Sequence, residues 1–224
     1  MTRQLIRALI FDFDGLILET EEPIYRSWKE VYEAHGVALP FELWVKTVGS
    51  SNQEFHPQLH LEERLGHPLP QDDVDRRVAR RVELVLAEPL RPGVVGLAEA
   101  ARADGMKVGV ASSSSRDWVK GHLERLGIVD LFDCLRARDD VQHVKPDPDL
   151  YLASLDCLGV AATEAVAIED SPNGVIAAKR AGLRCVAVPN AITAGLDLSQ
   201  ADLQLTSLAD VTLPQLLEQL GQAQ

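Results

Sequence analysis

The amino-acid sequence predicts an α/β fold, with a doubly wound parallel sheet and a helical segment inserted after the first strand. Three observations predict it. Short apolar runs recur without polar alternation, as expected for strands buried on both faces of a parallel sheet. Helical segments lie between the runs and end before a glycine, which favours the left-handed conformation at a helix C-terminus. One long stretch of helical patterns interrupts this alternation.

Six apolar runs are candidate strands. Four are well defined, and two, Cys134–Ala137 and Leu203–Leu205, are short. The four well-defined runs are Leu5–Phe11, Lys107–Ala111, Ala165–Ile168 and Cys185–Val188. Each of the four ends at a polar residue or a proline, so the strand limits can be read from the sequence.

Four helices are expected between these strands. They are Val94–Ala103, Arg116–Leu126, Pro148–Leu158 and Pro172–Ala181. The repeated order of strand, helix, glycine and strand is typical of a Rossmann-like sheet. In such sheets, ligands bind at the carboxyl ends of the strands.

The stretch between Leu18 and Leu90 contains helical patterns and no convincing strand. The patterns cover Glu22–His35, Phe41–Lys46, Gln53–Leu65 and Asp72–Ala87. We therefore expect residues 18–88 to form a helical cap domain, and residues 1–17 and 89–224 to form the α/β core that holds the catalytic site. Hinges are expected at Gly15–Glu21 and Ala87–Pro92.

Four arginines lie close together in the last of these helical patterns: Arg76, Arg77, Arg80 and Arg81. Aspartates and a glutamate flank them. We interpret this cluster as a solvated helix face with mixed charges. A basic patch that faces a phosphate group is the alternative.

Composition limits the classes of partner. The chain has 224 residues and a net charge of −12, and a field of that sign disfavours nucleic acids and anionic membranes. The sequence lacks the roughly 18 consecutive apolar residues that a membrane span needs. A phosphorylated substrate would require local positive charge or a metal ion. The sequence leaves the oligomeric state open, and a monomer is compatible with it.

The three cysteines, Cys134, Cys157 and Cys185, are few and widely spaced. No Cys-x-x-Cys pair occurs, so we expect neither a thiolate zinc site nor a disulfide framework. We interpret all three as small buried apolar side chains. Without a leader-like N-terminal segment, the expected location is the reducing cytoplasm.

Asp12 and Asp14 follow the first predicted strand directly. Residues i and i+2 share one face of a strand, so the two carboxylates should lie together at the strand tip. Carboxylates this close repel each other unless a cation binds them or one of them takes a proton. The pair therefore predicts a catalytic site that uses a metal ion, a proton or both.

Further polar residues follow the other predicted strands. Ser112 opens a run of four serines, and Glu169 and Asp170 follow the third well-defined strand. Lys145 lies in a polar loop before a predicted helix. Together with the aspartate pair, these groups are suited to bind an oxygen-ligating divalent metal ion and a phosphoryl group.

Four segments of the chain resemble the four motifs of the haloacid dehalogenase-like hydrolase superfamily. They are Asp12–Gly15, Val110–Ser114, Lys145–Pro148 and Ile168–Gly174. The helical insertion after the first motif is similar to that of the subgroup containing β-phosphoglucomutases and phosphatases of small phosphate esters. The resemblance covers almost the whole chain.

This resemblance implies a role for each residue at the strand ends. Asp12 corresponds to the nucleophile that forms an aspartyl-phosphate, and Asp14 to the general acid and base. Ser112 and the amide of Ser113 would hold phosphate oxygens, and Lys145 would neutralise charge.

The resemblance also implies a metal site. Glu169 and Asp170, with Asp12 and the main-chain carbonyl of Asp14, would bind Mg²⁺. The implied activity is a magnesium-dependent phosphatase acting on a small phosphorylated metabolite, such as a sugar phosphate. Phosphoryl transfer requires this arrangement of charge, because a carboxylate must approach an anionic phosphate.

Two alternatives are a phosphomutase and a non-catalytic interaction protein. In β-phosphoglucomutases, a cap loop supplies an arginine for a second phosphate, whereas here Asn52 occupies that place in the loop Val48–Gln53. Ile24 likewise replaces a histidine typical of those mutases. A dehalogenase is a weaker alternative, because a halide leaving group needs no proton and Asp14 would have no proton to transfer.

Substrate specificity is expected to depend on the cap. The candidate residues are Trp44, Ser51, Asn52 and Gln53.

Overall fold

The computed structural model describes residues 5–45 and 55–222, and within them it contains a six-stranded sheet. The strands are β1 (Ala8–Phe11), β2 (Lys107–Ala111), β3 (Cys134–Arg136), β4 (Ala165–Glu169), β5 (Arg184–Ala187) and β6 (Leu203–Gln204). Their order is β3-β2-β1-β4-β5-β6, and every neighbouring pair is parallel. The predicted α/β fold with a doubly wound parallel sheet is confirmed.

Strand β1 lies in the middle of the sheet and is buried on both faces. Leu9 and Phe11 pack into one apolar cluster, and Ala8 and Ile10 pack into the cluster on the other face. Both sets are apolar because neither face meets water, which explains the continuous run in the sequence. Phe11 pairs with residues of β2 and β4, so these three strands end level with one another.

Within the described residues, four helices lie between Leu18 and Leu90 in the chain. They are α1 (Glu21–Ala34), α2 (Phe41–Trp44), α3 (Pro57–Leu65) and α4 (Gln71–Ala87). They pack around an apolar cluster of their own, which includes Trp28, Tyr32 and Leu61. The predicted start of the third helix at Gln53 is wrong for Phe55 and His56, since α3 begins at Pro57, a residue favoured in the first turn of a helix.

Five further helices cover the sheet. They are α5 (Val94–Ala103), α6 (Arg116–Arg125), α7 (Asp149–Leu158), α8 (Pro172–Arg180) and α9 (Leu213–Gln222). Helices α5, α6 and α9 pack on one face, and α7 and α8 on the other. Helix α9 was not predicted, although its leucines at 213, 216, 217 and 220 have helical spacing. Among the described helices, none combines the length and the apolar character needed to cross a bilayer.

The two segments that connect the helical insertion to the sheet lie side by side. Leu18 and Leu90 form an antiparallel bridge. The guanidinium of Arg91 donates hydrogen bonds to the main-chain carbonyls of Gly15 and Val188. Both connections are therefore fixed to the same region of the core.

One expectation about the cysteines is wrong. Cys134 on β3 and Cys157 on α7 form a disulfide, with their Cα atoms 6.2 Å apart. Helix α7 packs against β3, and this contact joins two residues whose separation in the sequence forms no recognisable motif. Cys185 is a free, buried thiol, as predicted.

Candidate active site

Four predicted site residues meet at the carboxyl end of the central strands. Asp12 follows β1, Glu169 ends β4, and Asp170 follows β4. Lys145 enters from the loop between β3 and α7. All four side chains are buried. The level ends of the paired strands bring these residues together from distant parts of the chain.

Lys145 neutralises part of the acidic charge. Its ammonium contacts Asp12 Oδ1 directly and lies 2.6 Å from Glu169 Oε1. It also donates a hydrogen bond of 2.8 Å to the main-chain carbonyl of Ala111, the last residue of β2. Among the described residues, three buried carboxylates therefore face the single ammonium group of Lys145, and the cluster keeps an excess of negative charge.

Glu169 is completely buried, and only one of its two carboxylate oxygens has hydrogen-bond partners among the described residues. Its Oε1 accepts hydrogen bonds from Lys145 and from the hydroxyl of Tyr151. Its Oε2 is buried and has no hydrogen-bond partner in the described part of the chain. The carboxylate fits here because residue 174 is glycine, where a Cβ atom would lie 1.8 Å from Oε2.

The arrangement fits a hard divalent cation. Asp12, Glu169 and Asp170 each offer a carboxylate oxygen, and these oxygens lie within 4.8 Å of one another. An unpartnered buried oxygen is strongly unfavourable unless a cation or a donor binds it. Such an all-oxygen set suits Mg²⁺ or a similar ion better than a softer metal.

The titration behaviour of the site reflects the same excess of negative charge. Burial raises the pKa of Asp12 to about 8, Lys145 opposes this increase, and Glu169 adds to it. Burial and the neighbouring carboxylates, Asp12 first, also raise the pKa of Asp170 well above its usual range. Burial alone would lower the pKa of Lys145, but Asp12 and Glu169 raise it above its ordinary value. Lys145 therefore stays charged, and Asp12 and Asp170 hold protons more readily than ordinary aspartates when no cation is bound.

Asp14 is adjacent to the three acids, and its carboxylate is held by three hydrogen-bond donors. Its Oδ1 accepts from the Thr20 hydroxyl at 3.1 Å and from the indole Nε1 of Trp118 at 3.0 Å. Its Oδ2 accepts from the Ser112 hydroxyl at 3.2 Å. The Asp14 carboxylate is not one of the three acids grouped as candidate metal ligands, and the predicted metal ligand at this residue is its main-chain carbonyl.

Asp170 is oriented by residues from two other segments. The side-chain amide of Asn190 donates to Asp170 Oδ2 at 2.8 Å. Gly15, which has a φ of 75°, lies against the same carboxylate, where a Cβ atom would approach Oδ2 to 2.2 Å. A glycine is therefore required after Asp14 for both its backbone conformation and its size.

The end of β2 provides the groups expected to hold an anion. Ser112 is fully buried, and its Oγ accepts a hydrogen bond from the amide of Ser114 at 3.0 Å. Ser113 follows it and is half-buried. Helix α6 begins directly afterwards, capped by Ser115. The first-turn amides of a helix favour an anion at this position.

One of the four predicted specificity residues lies within the described part of the chain. Trp44 is 3% exposed, packs in the apolar cluster that includes Trp28, Tyr32 and Leu61, and lies 5.5 Å from Tyr25 between ring centroids. Ser51, Asn52 and Gln53 lie outside the described residues. The part of all four residues in specificity stays a prediction.

Comparison with known proteins identifies the family. The family sequence model described as haloacid dehalogenase-like hydrolase matches residues 6–182 of this chain. This range covers most of the chain and all four segments with motif resemblance. The chain belongs to the haloacid dehalogenase-like hydrolase family.

Members of this hydrolase family with similar sequences carry phosphatase names. "Putative phosphatase YhcW" of Bacillus subtilis (strain 168) is 45% identical over 221 residues, covering 97% of this chain and 99% of the relative. Hexitol phosphatase B of Escherichia coli (strain K12) is 33% identical, covering 96% and 99% of the two chains. Both alignments extend over the helical insertion as well as the sheet.

A solved structure shares the fold. It is a mutant form of CbbY from Rhodobacter sphaeroides in complex with xylulose-1,5-bisphosphate. The TM-score is 0.73 and the identity 32%, with 95% of this chain and 99% of the other covered. The similarity therefore includes the whole architecture of this hydrolase.

Sequence reasoning missed several residues that contact the site. Asn190 lies shortly after β5, and the rule that located Ser112 after its strand could have found it. Thr20 contacts Asp14 from the segment before α1, and Trp118 contacts it from α6; no spacing in the sequence relates either residue to Asp14. Tyr151 is part of the apolar pattern of α7, so nothing in that pattern distinguishes it from a core residue.

Proposed function

We propose that this hydrolase is a magnesium-dependent phosphatase of a small phosphorylated metabolite and acts through an aspartyl-phosphate. The observation that carries the proposal is the buried group of Asp12, Glu169, Asp170 and Lys145, with Asp14 held next to it. The phosphatase names of the relatives support the same reaction class.

The reaction has two steps. A carboxylate oxygen of Asp12 attacks the phosphorus atom and forms a P–O bond, while the bond from phosphorus to the alkoxide oxygen breaks. Asp14 gives its proton to that leaving oxygen. Water then attacks the aspartyl-phosphate as Asp14 takes its proton, and inorganic phosphate and free Asp12 are formed.

Each remaining group stabilises charge on the phosphoryl oxygens. The Lys145 ammonium lies beside Asp12 and reduces its repulsion from the incoming phosphate. Ser112 and the amides that lead into α6 offer donors to the same oxygens. Asp12, Glu169, Asp170 and the Asp14 carbonyl would hold Mg²⁺, which supplies positive charge against the negative charge of the transferring group.

The helical insertion acts as a cap in this proposal. Residues 18–88 would form the cap domain and residues 1–17 and 89–224 the core, with movement at Gly15–Glu21 and Ala87–Pro92. Closure excludes bulk water and brings cap residues to the leaving group. Asp14 lies next to the first connection, so closure and the contacts of its carboxylate are linked.

The substrate is expected to be a phosphorylated sugar or a related phosphate ester. Two relatives act on or bind such compounds by name, a hexitol phosphatase and a xylulose bisphosphate complex of CbbY. Phosphate esters are charged and cross bilayers poorly, so they accumulate where they are formed. We therefore place the enzyme in the cytoplasm, which cell fractionation tests.

The nucleophile is tested with Asp12→Asn, which changes one atom and preserves volume. We expect the variant to fold normally and to release no phosphate from a panel of sugar phosphates and short organic phosphates. Circular dichroism supplies the control for folding. A purified Asp12→Asn protein with activity near that of the wild type would refute the assignment.

The acid role is tested with Asp14→Asn on two kinds of ester. An alkyl phosphate needs a proton on its leaving oxygen, whereas p-nitrophenyl phosphate does not. We expect a much larger loss of kcat on the alkyl ester, and equal losses would contradict the role. Isomerisation of glucose 1-phosphate should be measured beside phosphate release, because its appearance would favour the mutase.

A further inference from the structure

Two arginines of α4 lack the counter-ions that their neighbours have. Arg76 pairs with Asp73, and Arg80 pairs with Glu30 and Glu83, each at 2.9 Å. Arg77 and Arg81 form no ion pair with any described residue. They are half-buried, and the Nε atom of each is buried without a hydrogen-bond partner in the described ranges. The expected solvated face therefore accounts for only half of the cluster.

The two unpaired arginines lie at the junction between α4, α1 and α6. The Arg77 guanidinium is 4.6 Å from the ring centroid of Trp28 on α1. The Arg81 guanidinium is 5.7 Å from the ring centroid of Trp118 on α6. Because Trp118 donates its indole N–H to Asp14, a single indole ring separates Arg81 from the general acid of the proposed reaction.

This arrangement is unfavourable without an anion. Arg77 and Arg81 are four residues apart on one helix face, so two like charges are neighbours. Burial, and then Arg81, lower the pKa of Arg77. Stacking on an aromatic ring stabilises a guanidinium group but gives its N–H donors no acceptor, and a buried donor without an acceptor is unfavourable. A bound anion would supply acceptors to both guanidinium groups.

We propose that Arg77 and Arg81 form a second anion subsite, which binds a carboxylate or phosphate at the far end of the same substrate molecule. The inference rests on the proposed phosphatase function and narrows the substrate class to phosphate esters with a second anionic group. The subsite lies on α4, a different segment of the sequence from Val48–Gln53, in which β-phosphoglucomutases carry an arginine and this chain has Asn52.

The test compares esters that differ only in the second anion. Glycerol 3-phosphate is matched with 3-phosphoglycerate, and fructose 6-phosphate with fructose 1,6-bisphosphate, so the two pairs distinguish a carboxylate from a phosphate. Phosphate release gives kcat and KM for the wild type and for Arg77→Gln, Arg81→Gln and Arg77→Lys. Arg76→Gln is the matched control, because it removes the same charge from an exposed arginine of the same helix.

We expect the wild type to have at least about tenfold higher kcat/KM for the doubly charged ester of one pair. Arg77→Gln and Arg81→Gln should each remove about tenfold of this preference, mainly through KM, and leave the singly charged ester nearly unchanged. Arg77→Lys should retain part of the preference that Arg77→Gln loses, and Arg76→Gln should have the kcat/KM of the wild type for both esters.

Three results would overturn the subsite. They are equal kcat/KM for both members of both pairs in the wild type, equal losses on both members in the variants, and an Arg76→Gln loss as large as that of Arg77→Gln. Calorimetric binding of fructose 1,6-bisphosphate and 3-phosphoglycerate to Asp12→Asn, with and without Arg81→Gln, decides the question independently of turnover. If no ester is hydrolysed, the phosphatase function fails, while an Arg81-dependent affinity for either compound still supports the subsite and its absence rejects it.

Discussion

Replacing Lys145 with methionine should reveal how strongly the buried acids depend on its ammonium group. Lys145 contacts Asp12 and Glu169, which are both buried, and donates to the carbonyl of Ala111. Methionine keeps an apolar stem but removes the charge and all the donors. Breaking a buried ion pair from one side typically costs about 3–5 kcal/mol, because the other charge stays uncompensated. We expect a loss of about 3 kcal/mol in the free energy of unfolding in metal-free buffer.

The pH of the experiment determines how much of this loss is visible. Burial raises the pKa of Asp12 to about 8 even with Lys145 present, so a proton relieves part of the repulsion below that pH. The loss in Lys145→Met should therefore grow as the pH rises through this range. Urea denaturation with a chelator at about pH 9, compared with pH 6, measures the difference.

A double-mutant cycle separates the charge effect from the loss of packing. The cycle uses wild type, Asp12→Asn, Lys145→Met and the double variant. Asp12→Asn removes one of the carboxylates that lose their counter-ion in Lys145→Met. The loss in the free energy of unfolding of the double variant should therefore be smaller than the sum of the two single losses. Two results would contradict this expectation. One is a decrease of less than about 1 kcal/mol in the free energy of unfolding of Lys145→Met at high pH, which is typical of an exposed ion pair. The other is a double variant whose loss equals the sum of the two single losses.

Three further predictions concern other buried groups. Burial and two nearby carboxylates raise the pKa of Glu21 to about 8 from 4.5, so the native state keeps a proton that the unfolded chain releases. The contribution of Glu21 to stability should fall as the pH rises between these values, so the gain in melting temperature of Glu21→Gln should widen over the same range; a constant difference would contradict this. Gly174→Ala should displace Glu169 and abolish phosphate release and thermal stabilisation by Mg²⁺, whereas Gly195→Ala, with open space around it, should not. Burial raises the pKa of Cys185, so iodoacetamide should label the native protein at no cysteine and the denatured, unreduced protein at one; rapid labelling of the native thiol would contradict this.

The sheet and the acidic cluster were predictable because one rule governs both. Apolar runs without alternation identify strands buried on both faces, and parallel strands end at one edge. Asp12, Ser112 and Glu169 each stand at such an end, so their proximity follows from strand limits alone. Lys145 is different, since it comes from a loop, and only the family resemblance indicated its partner.

The contacts of Asp14 could not be predicted, because they depend on how helices pack across the sheet. Trp118 is 104 residues from Asp14 in the chain and reaches it from α6. The ion pairs of the four arginines of α4 also depend on how helices pack. Helical spacing places Arg77 and Arg81 on one face, but the sequence cannot tell which arginines of the cluster find an acid on a neighbouring helix. The bond between Cys134 and Cys157 likewise depends on the packing of α7 against β3.

The bridge between Leu18 and Leu90 has a consequence for how this architecture can diversify. The inserted helices leave the sheet and return to it at adjacent points, so β1 and β2 remain paired residue by residue whatever lies between them. Helices of another length or shape could join the same two points without stretching the sheet. New substrate preferences can therefore arise by exchange of the insertion, while the buried charges at the strand ends stay unaltered.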